Sequence, residues 1–111
     1  MTKEQLRKYR AIKKEHTRIE QRLRNLEKLP ECDQEIIRPL KECYDAKLKE
    51  LVDAILSIED AIATLDPIER ELVRLRYADG LPWFKVQAVI NYSEQQTHRI
   101  HSRILQKLKK L

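Results

Sequence analysis

Residues 78–103 read ADGLPWFKVQAVINYSEQQTHRIHSR, and this stretch decides what the rest of the chain must support. Gly80 is the only glycine present. It follows Asp79 where apolar spacing lapses, as expected of a residue that takes the left-handed conformation at a helix end. Pro82 then opens a short helix with Trp83, Val86, Val89 and Ile90 available to a core. Asn91-Tyr92-Ser93 interrupts that spacing, and Ser93 carries the hydroxyl expected of an N-cap for the next helix. Two short helices joined by a tight turn make a helix-turn-helix, whose second member normally lies in the DNA major groove.

The polar variety of SEQQTHRIHSR follows from that geometry. At about 100° per residue, Thr97, Ile100, Ile104, Leu108 and Leu111 gather on one side of the final helix. Gln95, His98, Arg99, Ser102 and Gln106 gather on the other, an outward face rather than a pocket. Gln can pair bidentately with adenine and Arg with guanine, while His and Ser give single hydrogen bonds. Side chains near the helix N-terminus reach deepest, so Glu94, Gln95, His98 and Arg99 are the candidate base contacts. Glu94 is either an acceptor for a cytosine amino group or a first-turn acid facing the helix dipole. Ser102, Arg103, Lys107, Lys109 and Lys110, with Lys85 on the preceding helix, suit phosphates, which fix position without reading sequence.

Other chemistry fits this segment less well. His98 and His101 stand at i, i+3, but no nearby acid or thiol completes a metal set. His101 lies near the buried edge and is expected to pack. Ser93 and Ser102 have no oriented base and acid, so no enzyme activity and no cofactor are expected. A lone Trp83 at helical spacing is expected as a core anchor, and Phe84 then points elsewhere.

Upstream, LDPIERE punctuates a helix start: Asp66 as N-cap, Pro67 in the first position and Glu69 closing a capping box. Ile68, Leu72 and Leu75 share its inward face. Before it, Tyr9, Ile12, His16, Ile19, Leu23 and Leu26 recur at steps of three and four after a Thr2/Gln5 capping box. Pro30 stops that helix. PECDQEIIRP is expected as turn and re-entry, with Asp33 as a cap or Pro39 in a first turn. A second seam follows at Tyr44, Leu48, Leu51, Ile55, Ile58, Ile62 and Leu65, widened by Val52, Ala54, Leu56 and Ala61.

Charge divides the chain in the same places. Residues 1–30 carry ten Lys/Arg against four Asp/Glu, residues 31–66 four against ten, and residues 67–111 nine against four. Opposite blocks of similar length, joined by a short proline-bearing connection, predict an antiparallel pair, leaving the last basic block for an anionic partner. With one Gly, four Pro and 37% charged residues among 111, an all-α protein is expected: a coiled-coil-like helical hairpin over 1–64 and a helix-turn-helix domain over 65–111. The hairpin alone is marginal, so it is expected to pack on the C-terminal block or on a second copy. MTKEQLRKYR has no apolar signal region and no stretch suits a membrane span, which predicts a cytoplasmic protein. Cys32 and Cys43 are expected as reduced, buried or half-buried thiols.

Residues 65–111 resemble region four of bacterial sigma factors, in the LRY segment, the glycine-bearing turn, the serine at the second turn and the Ile-bearing helix ending in KL. They are closer still to small phage regulators of the ArpU/RinA type, through LRYADG, LPW, NYS and RIH. The resemblance implies sequence-specific binding of promoter DNA, control of phage operons in a bacterial host cell and contact with RNA polymerase. By position it assigns Glu94, Gln95, His98 and Arg99 to base reading. This chain departs from the pattern at Pro82, at Phe84-Lys85 and at Thr97, where a hydroxyl cap, an acidic pair and an aliphatic residue are usual. A homodimer through the hairpin would place two reading helices about one helical turn of DNA apart, or a multiple of that. Two alternatives stand beside this: a packaging protein resembling a small terminase subunit, and an adaptor that binds polymerase or a host factor without reading DNA.

Overall fold

The structure, a computed structural model, describes residues 1–111. It is all-α. α1 spans Lys3–Glu27, α2 Glu31–Ala63, α3 Pro67–Val73, α4 Trp83–Ile90 and α5 Glu94–Lys109. α3 runs on into a π-helical turn, Arg74–Ala78. No helix is long and apolar enough to cross a membrane.

α1 and α2 form the expected helical hairpin. α1 begins with the Thr2/Gln5 box: the Thr2 amide donates to the Gln5 side chain at 2.8 Å, and the Gln5 amide donates to the Thr2 hydroxyl. The start of α2 differs from expectation. Asp33 is not its cap and Pro39 is not in its first turn; the helix begins at Glu31, directly after Pro30, and Pro39 lies inside it. Pro30 serves both helices, because a residue without an amide proton ends α1 yet costs nothing at a helix start. Its carbonyl accepts from the Asp33 amide at 2.9 Å. Glu31 and Asp33 then favour the dipole of the first turn. The exposed Pro39 deprives the carbonyl of residue 35 of its helical donor, a defect that water can satisfy.

The chain divides into two compact units. One, Ala11–Leu56, is the hairpin with its turn. Ile19 and Leu51 are buried within it, and the Gln34 amide group ties the turn by donating to the Leu26 and Leu29 carbonyls. His16 is half-buried, 3.9 Å from Glu20 on its own helix. Val52 and Leu56 do not widen the buried face; both are exposed, a helical step apart on the outer side of α2. Cys32 and Cys43 are exposed free thiols rather than buried ones, because the early part of α2 buries little.

The other unit joins Met1–Arg10 and Ser57–Leu111, so the first turns of α1 and the last of α2 pack with α3, α4 and α5. Residues 64 and 65 both belong to this unit. Its core holds Leu6, Leu72, Val86, Ile104 and Leu108, none more than 1% exposed. Burial of each such side chain contributes about 1.5–3 kcal/mol. The Tyr9 hydroxyl donates to Glu59 at 2.8 Å, and the Met1 ammonium donates to the Leu108 carbonyl at 2.9 Å. Two residues expected inside lie outside. Val89 is exposed because α4 is short and buries one narrow stripe around Val86; Leu111 is exposed because α5 has ended at Lys109.

Candidate nucleic-acid interface

The helix-turn-helix geometry is built from three backbone devices. Gly80 has φ +72°, and the Leu81 amide closes the turn onto the Leu75 carbonyl at 3.0 Å. This left-handed residue lets the chain leave the π-turn and enter α4. Asn91, at φ 58° and ψ 43°, ends α4 in the same conformation, which Asn tolerates better than most residues. Ser93 then caps α5 reciprocally: its hydroxyl accepts from the Gln96 amide at 3.1 Å, and its amide donates to the Gln96 side chain at 3.0 Å.

With both ends of the turn fixed, the phase of α5 follows. Thr97, Ile100, Ile104 and Leu108 are buried; Glu94, Gln95, His98, Arg99, Ser102 and Gln106 are exposed. Thr97 occupies a core position at little cost, since its hydroxyl donates to the Ser93 carbonyl at 2.8 Å. Ser93, Glu94, Gln95 and His98 line a shallow concave surface at the start of the helix. No hydrogen bond or ion pair within the chain occupies the side chains of Glu94, Gln95, His98 or Arg99. They stand together, with donors and acceptors available to a partner.

The residues expected on phosphates divide into two groups. Lys85, Ser102, Lys109 and Lys110 are exposed without an acidic partner. Arg103 and Lys107 are instead engaged with Glu69, which is fully buried. Glu69 accepts from Arg103 Nε at 2.8 Å, Lys107 Nζ at 2.8 Å and the Asp66 amide at 2.9 Å; Lys107 also reaches Asp66 at 3.3 Å. Burial acts to raise the Glu69 pKa, but the hydrogen bonds from Lys107, the Asp66 amide and Arg103 outweigh it and hold the carboxyl down at about 2. The capping-box acid of α3 thus also clamps α5. The box was legible in the sequence; the clamp, between residues 34 and 38 positions apart, was not.

His101 packs as expected. Its Nε2 shares a 2.6 Å hydrogen bond with the Tyr77 hydroxyl, and the Trp83 ring meets it edge-on at 4.7 Å. Burial, followed by the charges of Lys3, His98, Arg76 and Arg7, pulls its pKa down to about 4. It is therefore neutral at pH 7. No three His, Cys, Asp or Glu side chains converge to hold a metal ion. Trp83 is half-buried rather than a full core anchor; the Arg76 guanidinium lies 4.7 Å over its ring and donates to the Leu81 carbonyl at 3.0 Å.

Next to His98 the surface opens into a cleft of about 450 Å3. Lys3, Arg7 and Arg10 of α1 line it together with Arg76, and Trp83 and His101 contribute its aromatic wall. None of these α1 residues was singled out from the sequence. Their i, i+4, i+7 spacing announces a basic stripe, but not which element it faces.

The chain matches no curated protein and no solved structure. Residues 2–110, nearly its whole length, match the family described as "Protein of unknown function (DUF722)", and the chain belongs to that family.

Proposed function

We propose that this protein is a sequence-specific DNA-binding transcription regulator of phage operons, acting on double-stranded DNA in the cytoplasm of a bacterial host cell. The observation that carries the reading is the outward face of α5. Directly after a doubly punctuated turn it presents Glu94, Gln95, His98 and Arg99, none engaged within the chain. These are the side-chain types that address base edges in the major groove. The resemblance of residues 65–111 to sigma region four and to the ArpU/RinA-type regulators supports the same reading. Lys85, Lys109, Lys110 and Ser102 supply phosphate contacts, while the charges of Arg103 and Lys107 are answered by Glu69 and Asp66. One such module buries a small interface, so a second copy or RNA polymerase contributes to useful affinity.

A protein-contact reading has one observation in its favour. Phe84, Val89 and Tyr92 are exposed at 68%, 58% and 40%, all on or just after α4. An adaptor would use such exposed apolar side chains on polymerase or a host factor and leave α5 idle. Selection of bound duplexes from a random pool separates the two. A regulator enriches a motif, and Arg99→Ala reduces preference for it by about 1–3 kcal/mol if Arg99 reads a guanine. Lys109→Ala weakens specific and random duplexes alike and flattens the salt dependence. Equal losses on both kinds of DNA for both variants would sink the base-reading assignment.

A further inference from the structure

The cleft beside His98 is cationic and has no internal counter-charge. Lys3, Arg7, Arg10 and Arg76 surround it, and no Asp or Glu lines it. Among these four only Arg7 has an acidic partner, the exposed Glu4 one turn away at 3.0 Å. Like charges gathered around one concavity repel each other unless an anion enters, and the walls of a cleft focus that field. At its inner wall burial, with the charges of Lys3, Arg76 and Arg7 beside it, holds the His101 pKa down.

Gly80 shapes the same place. The Arg10 guanidinium lies against it, so closely that a Cβ on residue 80 would sit 2.5 Å from Nη1. The glycine of the turn thus also provides the seat for Arg10. His98 connects the cleft to the reading helix, since it lines both the cleft and the concave surface formed with Ser93, Glu94 and Gln95. A strand whose bases meet Gln95 and His98 would lie beside the cleft that His98 also lines. Those side chains suit a phosphate diester: guanidinium groups bind its oxygens bidentately, and an ammonium adds a point charge.

We propose that this cleft binds a backbone phosphate of the DNA duplex addressed by α5, making the first ten residues of the chain part of the DNA-binding surface. The ligand rests on the reading given under Proposed function; the cleft's geometry does not. Trp83, the only tryptophan in the chain, lines the cleft and also a groove shared with Glu94 and His98, so its emission reports duplex at either surface and its loss in the cleft variant assigns the signal to the cleft. The experiment titrates the full chain with a short random-sequence duplex, following Trp83 emission and duplex anisotropy over a salt series. The Lys3→Gln/Arg10→Gln variant, Arg10→Lys and inorganic pyrophosphate are run in parallel. Both substituted residues are exposed, and circular dichroism melts check that the fold is kept.

Duplex binding should change Trp83 emission, and the double variant should lose about 0.9 from the salt slope for each phosphate contact removed. Arg10→Lys should keep most of the slope. Duplex binding that leaves Trp83 unmoved, with an unchanged slope in the double variant, overturns the cleft while leaving the reading helix in place. Pyrophosphate saturating the Trp83 signal without competition from duplex overturns it in favour of a small phosphorylated ligand. If Arg99→Ala keeps full sequence preference while the double variant still flattens the slope, base reading fails and the cleft stands. Absence of any duplex binding overturns both.

Discussion

At Glu69 a single buried carboxylate accepts from the Asp66 amide, from Arg103 and from Lys107. Because its folded pKa is depressed to about 2 from an ordinary 4.5, the stability it contributes is complete above that ordinary value. The contribution is lost as pH falls from there towards about 2. Glu69→Gln should therefore destabilise the protein at neutral pH by about 1.5–3 kcal/mol, the usual worth of hydrogen bonds to a charged group. Its urea midpoint should also fall less steeply than the wild type's as the pH drops through that acid window. An equal acid dependence in both proteins would remove Glu69 as the source. Gly80 is constrained twice, by its φ of +72° and by the Arg10 guanidinium where a Cβ would go. Gly80→Ala should cost about 1–2 kcal/mol in chemical denaturation from the backbone alone. It should displace Arg10 as well, so a variant as stable as the wild type contradicts this account of the turn.

Each helix end that fixes the outward face of α5 rests on local chemistry, and local chemistry is what a sequence makes legible. Ser93→Ala removes the hydroxyl that accepts from the Gln96 amide and should cost about 0.5–2 kcal/mol. Hydrogen exchange should accelerate first at the amides of residues 95–97; uniform acceleration along α5 would argue against a capping role. The Ser93 and Thr2 caps, the Gly80 turn and the buried stripe of α5 could all be read in advance, because each depends on neighbours within a few positions. Pro39 could not. A proline normally argues for a helix start, and here Pro30 had already taken that role, leaving Pro39 in an exposed helix interior. Val89 and Leu111 were misplaced for a related reason: helical spacing gives a face, but the length of partner available to cover it is a tertiary quantity.

In the whole molecule, residues far apart in sequence share one core. Leu6, Tyr9, Ile58 and Ala61 are buried in the unit that also contains α3, α4 and α5. Leu6→Ala should therefore destabilise that unit by about 2–5 kcal/mol, although Leu6 lies far upstream of the helix-turn-helix. Residues 65–111 produced alone should give a poorly dispersed amide spectrum; a well-dispersed one would show that the segment needs none of these partners. The basic cleft was hidden from sequence in the same way, because Lys3, Arg7 and Arg10 acquire a partner surface only when α1 packs in this unit. The exposure of Glu94, Gln95, His98 and Arg99 was legible because it depends on the phase of one helix.

The measurement that bears most directly on the central claim is amide and side-chain chemical-shift mapping of the isotope-labelled chain, titrated with a duplex selected for binding and then with a scrambled one. The selected duplex should perturb residues 94–99 of α5 most strongly, with side-chain shifts at Gln95, His98 and Arg99 that the scrambled duplex does not reproduce. Shifts confined to the lysines and equal for both duplexes, or centred on Phe84, Val89 and Tyr92, would contradict a reading helix.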